Sequence, residues 1–548
     1  MDTSTISSRQ RFDTGFLAGL LAGIAASALM WLLNVTINGV LLPDLFGNLF
    51  TLVTPLPIFE YLHRVIGVDA KYYLFVGILA GQCLVFALSG GLCSLLATKY
   101  LWSSDEQGQL RWQTGLLLAL VLWLLTGLVL LPLLNAGVFG ASLSNGVPNT
   151  MFSLAIVGLA FGLLFIYAQN RLVERRQTSQ DKQDETYDQE RRRTILRRGL
   201  ALLGVATLGA VAWRFITGGG SGSALDSGQL LQHFQKKITP PPAPNYGDIK
   251  PATHLSPEIT SNDQYYVVSK NLVGDPTVDG GNWRLVIDGE VANPYSLTYS
   301  QITQLPLKQQ YESMMCISNE VGGSYMSSAK WEGIPLASLL EKAGGPKAGA
   351  KKVVLRAADD YSDSIALSKA LEPTTLVALR MNGETLPQLH GYPARLLVPG
   401  IYGMKHVKWI THIQVVAEDY QGYWQQRGWS DPAPIRMTSR IDTPLAGENL
   451  RAKQQTYVAG VAFSGNKGIS EVDVSFDKGQ TWQRATLKKP LSNLTWVLWE
   501  LPWTPAQSGP YTITVRAVDL EGNVQSPEIA SPLPDGSSGY HNIDVSVT

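Results

Sequence analysis

The sequence predicts a multidomain chain: an N-terminal four-helix transmembrane region with a fifth signal-anchor helix, then an α+β domain, then a C-terminal immunoglobulin-like β-sandwich. Three observations predict it. Apolar residues are concentrated in runs of bilayer-spanning length at the front of the chain. A stretch rich in Gly, Ser and Pro follows these runs. Beyond it lie short β-rich segments, first interleaved with short amphipathic helices and then alone.

Composition agrees with a membrane part. Of 548 residues 45% are hydrophobic and only 16% charged, with a mean hydropathy of +0.04, more apolar than an ordinary soluble enzyme. Lys plus Arg and Asp plus Glu each total 44, so no basic excess points to nucleic acid. So much apolar and aromatic side chain also excludes wholesale disorder.

Four runs, 15–42, 72–97, 114–134 and 151–168, are almost free of charge and close to the ~20 residues that cross a bilayer as a helix. Arg9 and Arg11, then Lys99 and Arg111, then the Lys/Arg-rich stretch 171–198 all fall on one side of such a bundle. The positive-inside rule therefore places the N-terminus in the cytoplasm. A fifth, shorter run at 199–213 follows Arg192-Arg193-Thr194-Ile195-Leu196-Arg197, which resembles a twin-arginine export signal. A plain positive-inside anchor explains the same arginines, and both readings stay open. If this run crosses, the chain is a multi-pass protein of the cell membrane, and everything after Thr217 lies on the extracytoplasmic side.

Domain boundaries follow from these shifts: 1–170 for the four helices, 171–217 for the basic segment and anchor, and 218–263 for a flexible tether. An α+β domain at 264–439 and a sandwich at 440–548 complete the chain. In the last region short strands recur at 456–463, 471–476, 481–487, 495–501 and 511–519. Asp477-Lys478-Gly479 supplies a hairpin turn, and tryptophans 482, 496 and 499 alternate toward a core.

Cys83 and Cys93 lie ten residues apart in the second run, about 15 Å along a helix, which suits small apolar packing rather than a disulfide. Cys316 is then a lone thiol in a domain placed outside, where cysteines are normally paired or absent. A buried free thiol is the plain reading of it alone. Its neighbours add to that reading. Cys316-Ile317-Ser318-Asn319-Glu320 and Gly322-Gly323 come first. Then come Asn382-Gly383-Glu384, His390-Gly391-Tyr392-Pro393-Ala394-Arg395 and Gly400-Ile401-Tyr402-Gly403-Met404-Lys405-His406-Val407-Lys408-Trp409.

This ordered set resembles the sulfite oxidase family of molybdopterin-dependent oxidoreductases over roughly 265–416, and the region after Arg440 is similar to that family's dimerisation domain. The resemblance implies a molybdenum-molybdopterin cofactor, with Cys316 as the thiolate on molybdenum and as the catalytic centre. A thiolate is a soft anionic donor suited to that metal. By the same match Lys270, Asn271, Asp359, His390, Arg395, His406, Val407 and Lys408 bind the cofactor, with Arg395 suited to a bidentate grip on its phosphate. Paired subunits are implied as well.

Departures bear on substrate. Where sulfite oxidases carry arginines around a small oxyanion this chain has Ser269 and Glu320-Val321, and Trp429 stands where the family has a tyrosine. Sulfite and nitrate are therefore disfavoured, and a neutral sulfoxide suits such a site better. No Cys-x-x-Cys-His haem attachment and no iron-sulfur cysteine set is present in the sequence, so electrons are expected from a separate redox partner. The leading expectation is a membrane-anchored oxygen-atom-transfer enzyme acting on a small molecule. The alternative is a catalytically idle cell-surface binding module or scaffold on the same fold. A transporter with an appended sensor finds little in spans almost without ionisable residues.

Overall fold

The computed structural model describes residues 8–37, 39–66, 70–97, 109–143, 146–180, 249, 252–271 and 274–548. The fifth run, the twin-arginine-like segment and most of the tether lie outside the described residues. The chain divides into two compact units.

The first unit is helical. It contains α1 (Ser8–Ile37), α2 (Leu42–Val53), α3 (Leu56–Ile66), α4 (Ala70–Ala97), α5 (Trp112–Leu125), α6 (Leu131–Leu133) and α7 (Gly146–Gln180). Four stretches are long and apolar enough to cross a membrane: Ser8–Asn34, Ala70–Ala97, Trp112–Leu133 and Gly146–Arg175. Each of the four expected runs overlaps one of these stretches, but the bounds shift: the first helix starts earlier and ends at Ile37, with Leu42 opening α2, while the fourth extends beyond its expected run at both ends. In α1 the buried Ala18, Ala22, Ala26 and Met30 recur every fourth residue, so one face of small side chains packs inward. Close approach is the means of association: a Cβ on Gly162 in α7 would run into the Gly115 carbonyl of α5, as in small-residue packing between membrane helices. On α4 the outward Leu84, Val85, Leu88, Leu92 and Leu96 are 41–60% exposed, which suits contact with lipid tails.

The second unit begins before the strands expected from sequence. Residues 252–263 were expected to be flexible tether, yet they are fixed to the folded unit. Ser256 N donates to Asp442 Oδ2 at 2.9 Å, Thr260 N to Ser328 O at 2.8 Å, and Glu258 pairs with Lys488 at 2.6 Å. Tertiary hydrogen bonds override a composition that reads locally as loop.

The α+β part contains β1 (Arg284–Gly289), β2 (Tyr295–Thr298), β3 (Lys308–Met315), β4 (Met326–Pro335), β5 (Lys352–Ala357), β6 (Ser362–Ala366), β7 (Leu376–Met381), β8 (Glu384–Thr385), β9 (Arg395–Leu397) and β10 (Ile410–Val416). They form one sheet in the order β2-β1-β10-β5-β6 and another in the order β3-β4-β7-β8, with β9 on β7. β1 and β10 pair in parallel while the other neighbours in the first sheet are antiparallel. The first sheet and the helix Leu336–Lys342 share a core that includes Leu285, Ile287, Leu339, Val353, Leu355 and Ile413. A second core gathers Tyr265, Met314, Trp331, Met381 and Leu397 beneath the site described below.

Beyond these lie β11 (Thr438–Thr443), β12 (Asn449–Leu450), β13 (Thr456–Phe463), β14 (Ile469–Ser475), β15 (Gln483–Arg484), β16 (Thr486–Leu487), β17 (Val497–Trp503), β18 (Gly509–Asp519) and β19 (His541–Val547). Two sheets, β11-β13-β17-β16 and β12-β19-β18-β14-β15, share one apolar core. Alternation drives this: in β19 Ile543, Val545 and Val547 are buried while Asn542, Asp544 and Ser546 are exposed. The expected turn is present, with Lys478 and Gly479 at φ 59° and 87°. The expected tryptophan core is corrected in part. Trp499 is fully buried in it and Trp503 joins it, whereas Trp482 lies at the surface under Arg516, 4.2 Å from its ring centre. Trp496 instead faces the α+β part and donates to Glu258 O at 3.2 Å.

Candidate active site

Cys316 ends the hairpin edge of a sheet. It follows β3 directly, and its amide donates to Tyr325 O at 3.0 Å while its carbonyl accepts from Asn319 N at 3.1 Å. The side chain is 7% exposed, with Sγ 2.9 Å from Ser318 Oγ. The loop behind it is tied to the C-terminal sheets. Arg440 Nη1 donates to Gly323 O at 2.8 Å, and Ser537 Oγ to Asn319 O at 2.7 Å.

Cys316 opens on a cavity. Its walls come from five segments besides Met314, Cys316 and Ser318. They are 265–270, the β5–β6 turn with Asp359 and Tyr361, residues 389–395, the loop 403–409, and the stacked pair Trp424 and Trp429. The two indoles lie 4.1 Å apart at 16°. Loop 403–409 is pinned from below by Lys405, whose Nζ reaches Asp363 at 2.8 Å and Asp431 at 3.0 Å. Gly391 has φ 113°, and a Cβ there would press on Lys408 Cα and Arg395 Cβ, so glycine lets the two basic segments meet. Trp409 adopts φ 50°, a conformation costly for a large side chain and typical of functional sites.

Of the residues expected from sequence, Cys316, Lys270, Asp359, His390, Arg395, His406, Val407 and Lys408 all line this cavity. Asn271 is not among its lining residues. The buried lysines have acidic neighbours, with Lys270 4.0 Å from Asp359 and Lys408 3.6 Å from Asp275. Burial lowers the Lys408 ammonium below its ordinary range, although Asp275 opposes this.

Arg395 is different. It is 4% exposed, and its terminal nitrogens donate to His390 O at 3.1 Å, His406 O at 3.3 Å and Met314 Sδ at 3.2 Å. These partners are neutral, Nε has no partner, and burial lowers the guanidinium below its usual range. A buried cation with only neutral acceptors is costly unless an anion joins it.

His406 accepts from Val398 N through Nδ1 at 3.3 Å, and its Nε2 lies 3.1 Å from Ile401 O. Both nitrogens serve the backbone, and burial lowers its pKa to about 3. The neutral ring thus props the loop. His390 Nε2 lies 2.6 Å from Asn262 O, and burial lowers it to about 4.

Several groups were not singled out from sequence. The Tyr265 and Tyr266 hydroxyls are buried without partners, and both rings line the cavity. Glu312, 1% exposed, sits behind Arg395 and His406. In a strand Glu312 reads as one more alternating residue, and paired tyrosines read as core, so neither carried a signal.

These features test the fit of an anionic cofactor. A buried guanidinium with an unpartnered Nε, two largely buried lysines and two stranded phenols surround a cavity, beside a single thiol. Among the described residues no cluster of His, Cys, Asp and Glu could hold a metal alone. The donor set fits a large anionic ligand beside one soft sulfur donor.

Comparisons with known proteins agree. A family model described as the oxidoreductase molybdopterin binding domain matches residues 273–424, and one described as the Mo-co oxidoreductase dimerisation domain matches 433–547. The chain is 30% identical over 341 residues to mitochondrial sulfite oxidase of Homo sapiens, covering 53% of this chain and 62% of that protein. It is 30% identical over 336 residues to sulfite oxidase of Arabidopsis thaliana, covering 50% of this chain and 84% of that protein. It is also 28% identical over 313 residues to the NADH nitrate reductase of Ulva prolifera, covering 46% and 36%. Among solved structures, the sulfane dehydrogenase SoxCD of Paracoccus pantotrophus matches at a TM-score of 0.46 and 21% identity, covering 59% of this chain and 92% of that one. The chain spans about 62% of the length of the mammalian relatives it matches.

The class that fold and cavity define is a molybdopterin-binding oxidoreductase domain followed by a dimerisation-type β domain. The chain belongs to the sulfite oxidase family, and with that family comes a molybdenum-molybdopterin cofactor.

Proposed function

We propose that this protein is a membrane-anchored molybdenum oxidoreductase that transfers an oxygen atom to or from a small neutral molecule, a sulfoxide in the leading case. The observation that carries the reading is the cavity beside Cys316, which combines a stranded buried guanidinium with an aromatic wall. When bound, the molybdenum cofactor supplies two-electron oxygen-atom transfer. Cys316 offers its sulfur as the metal's protein ligand. Arg395, Lys408 and Lys270 hold the anionic end of the cofactor, with Asp359 and the Val407 segment along its side.

Substrate preference follows from charge. Among the described lining residues Arg395 is the one arginine, and it is assigned to the anionic end of the cofactor. Ser269, Trp424 and Trp429 supply no fixed positive charge for sulfite or nitrate. Stacked indoles favour a neutral, partly apolar molecule. Reduction of a sulfoxide takes two electrons and two protons and releases the thioether and water, with the electrons delivered by a separate redox partner.

The β region forms an immunoglobulin-like sandwich that pairs two copies of the chain, and the helices anchor the catalytic unit on the extracytoplasmic side. An idle scaffold gains no support from a cavity that keeps buried donors. Purified full-length protein should turn over alkyl sulfoxides with a reduced dye as electron source, and should not oxidise sulfite with ferricyanide. Sulfite oxidation at a comparable rate would overturn the substrate assignment. An alkaline phosphatase fusion after Thr217 should be active and one after Arg176 inactive; the reverse would overturn the topology.

A further inference from the structure

Tyr266 carries a polar group that the reading above leaves unused. Its position is fixed at both ends. The amide donates to Ser327 Oγ at 3.1 Å, and the ring stacks on Tyr265 at 5.6 Å and 17° and meets Tyr325 at 6.4 Å. The ring lines the cavity, and the hydroxyl is buried with no hydrogen-bond partner. The space for that hydroxyl depends on Gly403, where a Cβ would press on the phenol oxygen. Cys316 lines the same cavity, and the carbonyl of Met315, the residue before it, lies 3.4 Å from that same Cβ position on Gly403.

A phenylalanine would fill the same place with the same ring and strand nothing. Buried hydroxyls are kept where something accepts from them, because an unmet donor forfeits its hydration. The main chain and side chains around Tyr266 leave its hydroxyl without an acceptor, and the cavity beside Cys316 is where one can arrive.

We propose that the Tyr266 hydroxyl is a catalytic donor, giving its hydrogen bond to the cofactor where Cys316 holds it. The proposal rests on Cys316 as the molybdenum ligand. The hydrogen bond stabilises negative charge on that side of the cofactor, orients it, and tunes its potential.

The test is Tyr266→Phe in the full chain, purified from a host that makes the cofactor and from one that cannot. Molybdenum content of the loaded wild-type protein comes first: its absence removes the underlying reading and this proposal with it. With molybdenum present, the cofactor-free variant should unfold at or above the wild-type temperature, since it loses only a stranded hydroxyl. The loaded variant should unfold about 2 to 4 °C lower, and its Mo(V) paramagnetic resonance spectrum should shift. A purely structural tyrosine would change both forms alike. An equal drop in the two forms, or a loaded form unchanged in both unfolding temperature and spectrum, overturns the proposal.

Discussion

Replacing Glu312 by glutamine should reshape the pH dependence of stability in a calculable window. One carboxylate oxygen of Glu312 accepts from Gln310 Nε2 at 2.9 Å. The other has no hydrogen-bond partner and lies 3.8 Å from His406 Nδ1. Burial raises its pKa to about 8, against the opposing pull of Gln310, Arg395 and Lys369. A protonated carboxyl is also what suits the proton-free Nδ1 beside it.

Because the folded pKa is raised, this group's stabilisation is fully present below the ordinary carboxyl pKa and is lost as pH rises toward 8. The loss runs at about 1.4 kcal/mol per pH unit. His390 and His406 act in the opposite sense. Their folded pKa values of about 4 and about 3 mean that stability is lost as pH falls below roughly 6.5, where the unfolded rings take up protons. His541, also lowered by burial, adds to that acid limb. Between about pH 6.5 and 8 the Glu312 titration by itself removes about 2 kcal/mol from the cofactor-free protein.

Glu312→Gln keeps the shape and the contact with Gln310 and removes the titration. The assay is denaturant unfolding of cofactor-free full-length protein at a series of pH values, followed by tryptophan fluorescence. Trp331, fully buried and 3.4 Å from Glu312 O through Nε1, is placed to report. All other groups are common to both proteins and cancel in the difference. The wild-type curve should fall relative to the variant's by about 1.4 kcal/mol per pH unit from near the ordinary carboxyl pKa up to pH 8, and the two should run parallel only below that range. Parallel curves through that window would refute the reasoning.

Two further substitutions separate holding the cofactor from holding the fold. Arg395→Met should leave the cofactor-free protein folded, since it removes a buried charge with only neutral partners, yet purified protein should carry far less molybdenum; wild-type metal content would contradict this. Arg440→Met removes the cationic partner of Asp442, to which Arg440 Nε donates at 2.6 Å, and frees Gly323 O. It should cost about 3 kcal/mol and speed amide exchange across 319–323; unchanged exchange there would remove the claim that the C-terminal sheets brace the Cys316 loop.

Much of this was legible because it is periodic or covalently local. Four charge-poor runs read as helices at bilayer length, and short β-rich segments such as 456–463 and 511–519 read as strands. Cys316 stood out as the lone thiol of its domain, and the basic residues around His390 to Lys408 carried the family resemblance. What stayed illegible depends on distant partners. The side chain of His406 has the chemistry of a phosphate donor until Val398 N and Ile401 O occupy both its nitrogens. Residues 252–263 read as tether until Asp442, Ser328 and Lys488 reach them. Trp482 and Trp496 share a pattern with Trp499, and only the placement of the neighbouring sheets and the α+β part sends the three to different environments. Tyr266 and Glu312 look like ordinary strand and core residues, and the burial that gives them a role has no local signature.

The central claim is that a molybdenum cofactor occupies the cavity and that Cys316 binds its metal. Elemental mass spectrometry together with X-ray absorption at the molybdenum edge, on detergent-purified wild-type protein and Cys316→Ser, tests it most directly. The account predicts stoichiometric molybdenum in the wild type, with a sulfur neighbour that disappears in the serine variant. Wild-type protein without molybdenum, from a host that makes the cofactor, or an unchanged sulfur shell in Cys316→Ser would contradict it.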